Sequence, residues 1–164
     1  MASIYTEGAP PPVLDKTRTA KNGLFVELLG NGIFYSLNYE RFVTDDIAIR
    51  LGVGYFSLSA SAGSSSASAS IFSLPLMFEY MGIGSADDKL ELGIGPLIFY
   101  TSASASGIGD TAKGSGTFLF GTATIGYRHI PHDGGFNFKI GFTPIFGKFG
   151  FVPYLPGIGA GAVF

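Results

Sequence analysis

The stretch Ile47-Ala48-Ile49-Arg50-Leu51-Gly52-Val53-Gly54-Tyr55 alternates without a break. Ile47, Ile49, Leu51, Val53 and Tyr55 share one side of an extended chain, and Ala48, Arg50, Gly52 and Gly54 share the other. Successive side chains of a strand point to opposite sides, so a period of two means a strand with one bulky apolar face and one face of small or charged residues. The pattern recurs downstream. Phe72, Leu74, Leu76, Phe78 and Tyr80 oppose Ser73, Pro75, Met77 and Glu79. Leu90, Leu92, Ile94, Ile98 and Tyr100 oppose Lys89, Glu91, Gly93 and Gly95. Phe136, Phe138, Ile140 and Phe142 oppose Asn137, Lys139, Gly141 and Thr143. Upstream, Ile33, Tyr35, Leu37 and Tyr39 oppose Phe34, Ser36, Asn38 and Glu40, while Leu24, Val26 and Leu28 oppose Phe25, Glu27 and Leu29. Leu119, Ala123, Ile125 and Tyr127 oppose Phe118, Phe120, Thr122, Thr124 and Arg128, with both faces apolar near the start.

Turn sequences separate these segments. Gly30-Asn31-Gly32, Thr44-Asp45-Asp46, Ser85-Ala86-Asp87-Asp88 and Pro131-His132-Asp133-Gly134-Gly135 are short. Ser/Ala-rich tracts at 59–70 and 102–116 and a Gly/Pro-rich tract at 145–155 read as longer loops. Eight strands result, at 23–29, 33–42, 46–58, 71–82, 89–101, 117–129, 135–144 and 156–164. An alternative joins 23–42 into one long bent strand and leaves seven crossings. Pro75 cannot donate to a ladder, so its strand needs a bulge or a missing bond there. Residues 1–22, with three consecutive prolines at 10–12, read as a flexible tail before a barrel over 23–164. MASIYTEGAPPP has no basic start and apolar run of a signal peptide. The expectation is that such a segment has been removed and Met1 supplied for expression.

Composition decides which face meets what. Of 164 residues only 13% are charged, against about a quarter in soluble domains, while 46% are apolar. The net charge of −2 offers no basic field for nucleic acid, and the absence of cysteine rules out disulfides and thiolate metal sites. Leu51 to Phe78 lacks charge, but Ser and Gly at 60–70 exclude a membrane-spanning helix. A soluble barrel would have to pack eight faces of Leu, Phe and Tyr into a narrow lumen and expose glycine. Turned the other way, lipid receives the bulky faces and the small residues fit inside. Amides in lipid must all be paired, so the sheet must close. The expectation is an all-β, eight-stranded, antiparallel transmembrane β-barrel, an up-and-down meander. Ile47, Ile49, Leu51, Val53, Leu74, Leu76, Leu92, Ile94, Ile140 and Phe142 would face lipid. Tyr39, Tyr80 and Tyr127 near the short turns, with Tyr55 and Tyr100 nearer the long loops, read as two aromatic girdles.

Glu27, Glu40, Arg50, Glu79, Lys89, Glu91, Arg128 and Lys139 then point inward. Charges confined in a narrow lumen must pair, which predicts a salt-bridge network plugging the short-turn half. Glu40, Arg50, Glu79, Arg128 and Lys139 are its foremost members. A narrow conducting path is the rival reading of the same cluster. His129, His132 and Asp133 have the composition of a metal site, but their spacing spans a turn and lacks a third strong ligand, so both histidines read as solvated rim residues. The paired aspartates at 45–46 and 87–88 read as turn formers, and the glycine runs lack the strand–turn–helix context of a nucleotide site. Ser36 and Glu40 share a face with no histidine at the matching height, so no catalytic residue, cofactor or metal is assigned.

The strand layout, the alternating connection lengths and the terminal Phe164 resemble the small outer-membrane β-barrel proteins of Gram-negative bacteria, similar in layout to the OmpA transmembrane domain and OmpX-type, porin-like barrels. LLGNGIFYSLNYERF and GYRHIPHDGGFNFKIGFTPIF also resemble small uncharacterised outer-membrane proteins. The resemblance implies that Phe164, with Ala162, Ala160 and Ile158 at alternate positions, is the signal read by the outer-membrane insertion machinery. It further implies a monomer in membrane lipid or detergent, with both termini periplasmic and a structural or loop-scaffold role. The alternatives are a narrow pore, a lipid-modifying enzyme, and a soluble barrel binding an apolar ligand.

Overall fold

The structure, a computed structural model, describes residues 17–107, 110–148 and 150–164. Among them are strands β1 (Asn22–Leu29), β2 (Tyr35–Phe42), β3 (Ile47–Ala62), β4 (Ser65–Gly84), β5 (Asp88–Ser106), β6 (Thr111–His129), β7 (Gly135–Gly147) and β8 (Gly150–Val163). Each strand pairs antiparallel with the next, and β1 pairs with β8, giving a closed up-and-down barrel. The hairpin reading of residues 23–42 holds, because a 3-10 turn at Gly30–Gly32 separates β1 from β2. No helix among the described residues is long and apolar enough to cross a membrane.

Alternation fixes which side of the wall each residue takes. On β3 Ile49, Leu51, Val53 and Tyr55 are exposed, whereas Ala48, Arg50, Gly52 and Gly54 are buried in the lumen. β6, whose two apolar faces left its phase open, puts Leu119, Ile125 and Tyr127 outside and Phe118, Phe120, Thr122 and Arg128 inside. Pro75 costs a ladder bond rather than a bulge. The β3–β4 register is unchanged from Leu51↔Leu76 to Gly54↔Ser73, and only the pairs between them are missing.

Most of the described residues in the three tracts expected as loops are strand. β3 runs to Ala62 and β4 starts at Ser65, with Gly63 at φ 59 in the intervening turn, a conformation glycine adopts at no steric cost. β5 continues to Ser106 and β6 begins at Thr111, while β7 and β8 reach Gly147 and Gly150. On β4 and β5 serine and alanine alternate in register, so one face of this pair of strands is hydroxyl and the other methyl. Ser66–Ser106, Ser68–Ser104 and Ser70–Ser102 form hydroxyl rungs of 2.8 Å between β4 and β5. Ala67, Ala69, Ala103 and Ala105 lie on the opposite face, which continues the lumen wall. Cross-strand hydroxyl pairs stabilise a sheet without bulky side chains, and composition alone conceals that.

Residues 17–21, the end of the stretch expected as a tail, are docked across the short-turn end. Thr19 and Ala20 donate their amides to the His132 carbonyl at 3.1 and 3.0 Å, and the Phe42 amide donates to Lys21. Ala20 joins Phe42, Ala48, Met81, Ile130 and Val163 in an apolar layer closing that end.

Candidate functional site

The site is the lumen, built from side chains on the inward positions of seven strands. β1 supplies Glu27, β2 Glu40, β3 Arg50, β4 Glu79, β5 Glu91, β6 Arg128 and β7 Lys139. All seven are buried and joined in one alternating chain of ion pairs. Glu79 meets Arg50 Nε at 2.7 Å, and Arg50 Nη1 meets Glu27 at 3.2 Å. Lys139 Nζ bridges Glu27 at 3.2 Å and Glu91 at 2.6 Å. Arg128 links Glu91 at 3.0 Å to Glu40 at 2.6 Å. Lys89 stands apart, pairing with Asp46 at 3.6 Å near the turns. It sits near the end of its strand, where the Lys stem can reach the rim.

Two residues at the centre of this layer carried no charge to announce them. The Phe25 ring lies beneath three cations, 4.6 Å from the Arg128 guanidinium, 5.7 Å from Arg50 and 5.6 Å from the Lys139 ammonium. An aromatic sharing a strand face with Glu27 was the signal for it. Asn31, at the tip of the 3-10 turn, folds into the barrel instead of facing out. Its side-chain oxygen accepts from Arg50 Nη2 at 2.6 Å and from the Thr124 hydroxyl at 2.9 Å, and its amide donates to Thr122 at 2.8 Å. Ser73 donates to the neighbouring Gly32 carbonyl at 3.0 Å. The inward tuck forces positive φ on Leu29 (59°) and the β-branched Ile33 (74°), which the surrounding contacts must hold in place. Ile33 consequently leaves the outer face on which the alternation had placed it and packs against Leu97, Phe99 and Ile145 in the lumen. Gly30, at φ 63, is the turn residue for which the left-handed region carries no Cβ penalty.

Below the ion layer, the docked segment inserts Arg18. Its guanidinium stacks over the Phe42 ring at 3.9 Å and donates to the carbonyls of Asp45 (3.3 Å) and Pro131 (3.2 Å). Burial lowers its pKa from the ordinary arginine value, and the carboxylates of Glu40 and Asp45 oppose that shift. His132, expected as a solvated rim residue, is only 9% exposed, because its own carbonyl receives the docked segment. His129 keeps its place at the rim and pairs with Asp88 at 2.8 Å. Among the described residues no three His, Cys, Asp or Glu side chains are grouped to hold a metal. Ser36 is buried and accepts from Asn38 at 2.9 Å, away from both histidines at the short-turn end.

Of the ten residues expected to meet lipid, Ile49, Leu51, Val53, Leu76, Ile94, Ile140 and Phe142 are exposed on the outer wall, and Ile47, Leu74 and Leu92 are half-buried there. Tyr39, Tyr80 and Tyr127 are exposed toward the short turns, and Tyr55 and Tyr100 toward the long hairpins. Phe164 is exposed at the chain end, its backbone paired with Asn22.

These features define a class by architecture: a small, closed, eight-stranded antiparallel barrel with bulky residues outside and an ion-paired interior. Solved structures share the fold. The N-terminal β-barrel domain of Pseudomonas aeruginosa OprF superposes with a TM-score of 0.56 at 15% identity, covering 91% of this chain and 100% of that one. Ail, the attachment invasion locus protein of Yersinia pestis, superposes with a TM-score of 0.56 at 14% identity over 88% of this chain and 97% of that one. A second Ail structure, in complex with the heparin analogue sucrose octasulfate, gives the same TM-score and identity over 87% and 96%. No protein-family model and no curated protein matches the sequence.

Proposed function

We propose that this chain is a bacterial outer-membrane β-barrel with a plugged lumen, acting as a passive scaffold for the four-stranded sheet that β3–β6 raise above it. The supporting observation is the outer wall: a continuous belt of exposed Leu, Ile, Val and Phe between two sets of tyrosines. Tyr127 lies opposite Leu90, and Tyr100 follows ten residues further along β5. At ~3.3 Å per residue and a tilt of ~40°, the two tyrosine levels are about 25 Å apart, the height of the apolar band of such barrels. The Ser/Ala extension starts just beyond Tyr55 and Tyr100, where lipid would end and water begin. On this reading the short turns and both termini are periplasmic. The barrel is a monomer in lipid, and Phe164 with Ile158, Ala160 and Ala162 addresses the insertion machinery.

The plug is favoured over a pore because three layers cross the lumen in series: the apolar layer with Arg18, the ion chain, and the Asn31 turn. Each charged side chain of that chain is ion-paired to another inside the wall, so a passing ion meets a packed layer and not a hydrated path. Purified protein in a planar bilayer is therefore expected to hold a closed baseline. Steady single-channel steps of uniform size would refute the plug and favour the pore.

A further inference from the structure

Above the Asn31 turn the lumen changes character. Ile33, Ile71, Phe99, Phe118 and Phe120 line a cavity of about 290 Å³ whose one polar wall residue is Thr101. Leu97, Phe99 and Ile145 close its floor, and Leu155 packs at its side. β4, β5 and β6 form its continuous back wall with paired rungs at Ile71↔Thr101 and Phe99↔Phe118, while the β6–β7 pairing reaches up only to Gly121↔Phe146. The cavity opens toward the long hairpins, where the methyl face of the extension continues its apolar surface upward through Ala69 and Ala103.

We propose that this vestibule binds the hydrocarbon chain of a free single-chain amphiphile, one per barrel, entering from the open end. Water standing there wets hydrocarbon walls only, so covering them with an apolar occupant is favoured. The volume lies at the small end of ligand pockets, which suits one alkyl chain rather than a fused ring system or a two-tailed lipid. With a single hydroxyl in the wall, recognition is by chain length and not by headgroup. The headgroup stays at the mouth among the hairpins. This site stands independently of the plug: conduction would refute the scaffold reading and leave the vestibule untouched.

The test is a titration of the protein in lipid nanodiscs with n-alkanoates from hexanoate to tetradecanoate, with empty nanodiscs as the blank. Affinity is expected to rise about fourfold per added methylene, then level off once the chain outgrows the cavity. Thr101→Trp, which fills the space, and Phe118→Ser, which makes the wall polar, should each lower the affinity at least tenfold. Retained mobility shift of the unboiled barrel on gels shows which variant has folded. Affinity that does not depend on chain length, binding no greater than to empty nanodiscs, or binding unchanged in a folded variant overturns the proposal.

Discussion

Replacing Arg50 by methionine is expected to cost about 3–5 kcal/mol of barrel stability, read as a shift of the urea unfolding midpoint in detergent micelles. Arg50 holds Glu79, Glu27 and Asn31 together at 2.7, 3.2 and 2.6 Å, with its side chain fully buried. Methionine fills much of the same volume but leaves Glu79 without its ion-pair partner, while Glu27 keeps Lys139 at 3.2 Å. Removing one partner of a buried pair strands the other charges, and that desolvation exceeds anything gained by the apolar replacement. A second change separates charge from volume. Arg50→Met combined with Glu79→Leu removes one charge of each sign, and most of the lost stability should return. A loss below about 1 kcal/mol for the single variant would mean that the ion layer is hydrated, as a solvent-exposed pair would be.

Ile94→Lys is expected to cost about 2–4 kcal/mol in a lipid bilayer, whereas Ser104→Lys should cost no more than about 1 kcal/mol. Ile94 is 58% exposed on the outer wall of β5, close to midway between the level of Tyr127 and that of Tyr100. Ser104 lies on the same face of the same strand, ten residues further on, beyond Tyr100. Ser104→Lys also gives up the rung to Ser68 and faces Lys113, which can only narrow the gap, so a large excess cost at Ile94 measures lipid contact and not strand propensity. Equal and small effects at both positions, by urea unfolding in liposomes, would place the wall at Ile94 in water.

Much of the barrel was legible because period-two alternation records which side of a strand each residue takes, and Arg50, Glu79 and Lys139 stand out on faces otherwise made of small residues. Their pairing followed from burial alone, since charges in a narrow space have only each other. What escaped the reading was geometry that composition does not encode. The Ser/Ala tracts look like loops because serine and alanine are small and common in them, yet the alternation at 66–70 and 102–106 is itself a strand signal with small side chains. Gly30-Asn31-Gly32 reads as a turn, and it is one. Nothing local indicates that the turn folds inward to place Asn31 on Arg50, although its shortness beside the other hairpins at that end was a hint. The inward tuck also moved Ile33 off its expected face. Arg18 lay in a hydrophilic stretch, and its burial depends on Phe42, Asp45 and Pro131, far away in the chain. Lys89 shared the inward phase of Glu91 but sits two residues nearer the rim, where Asp46 is in reach.

The chain contains no tryptophan, so a single introduced one reports without background. The direct test of the wall's orientation is fluorescence of Leu51→Trp and Ile94→Trp barrels in bilayers whose lipids carry bromine midway along the acyl chain, with Ser104→Trp as the reference. Strong quenching by the bromines at 51 and 94, with little from aqueous acrylamide, and the reverse at 104, is the outcome this account predicts. Emission at 51 and 94 that ignores the bromines would contradict it.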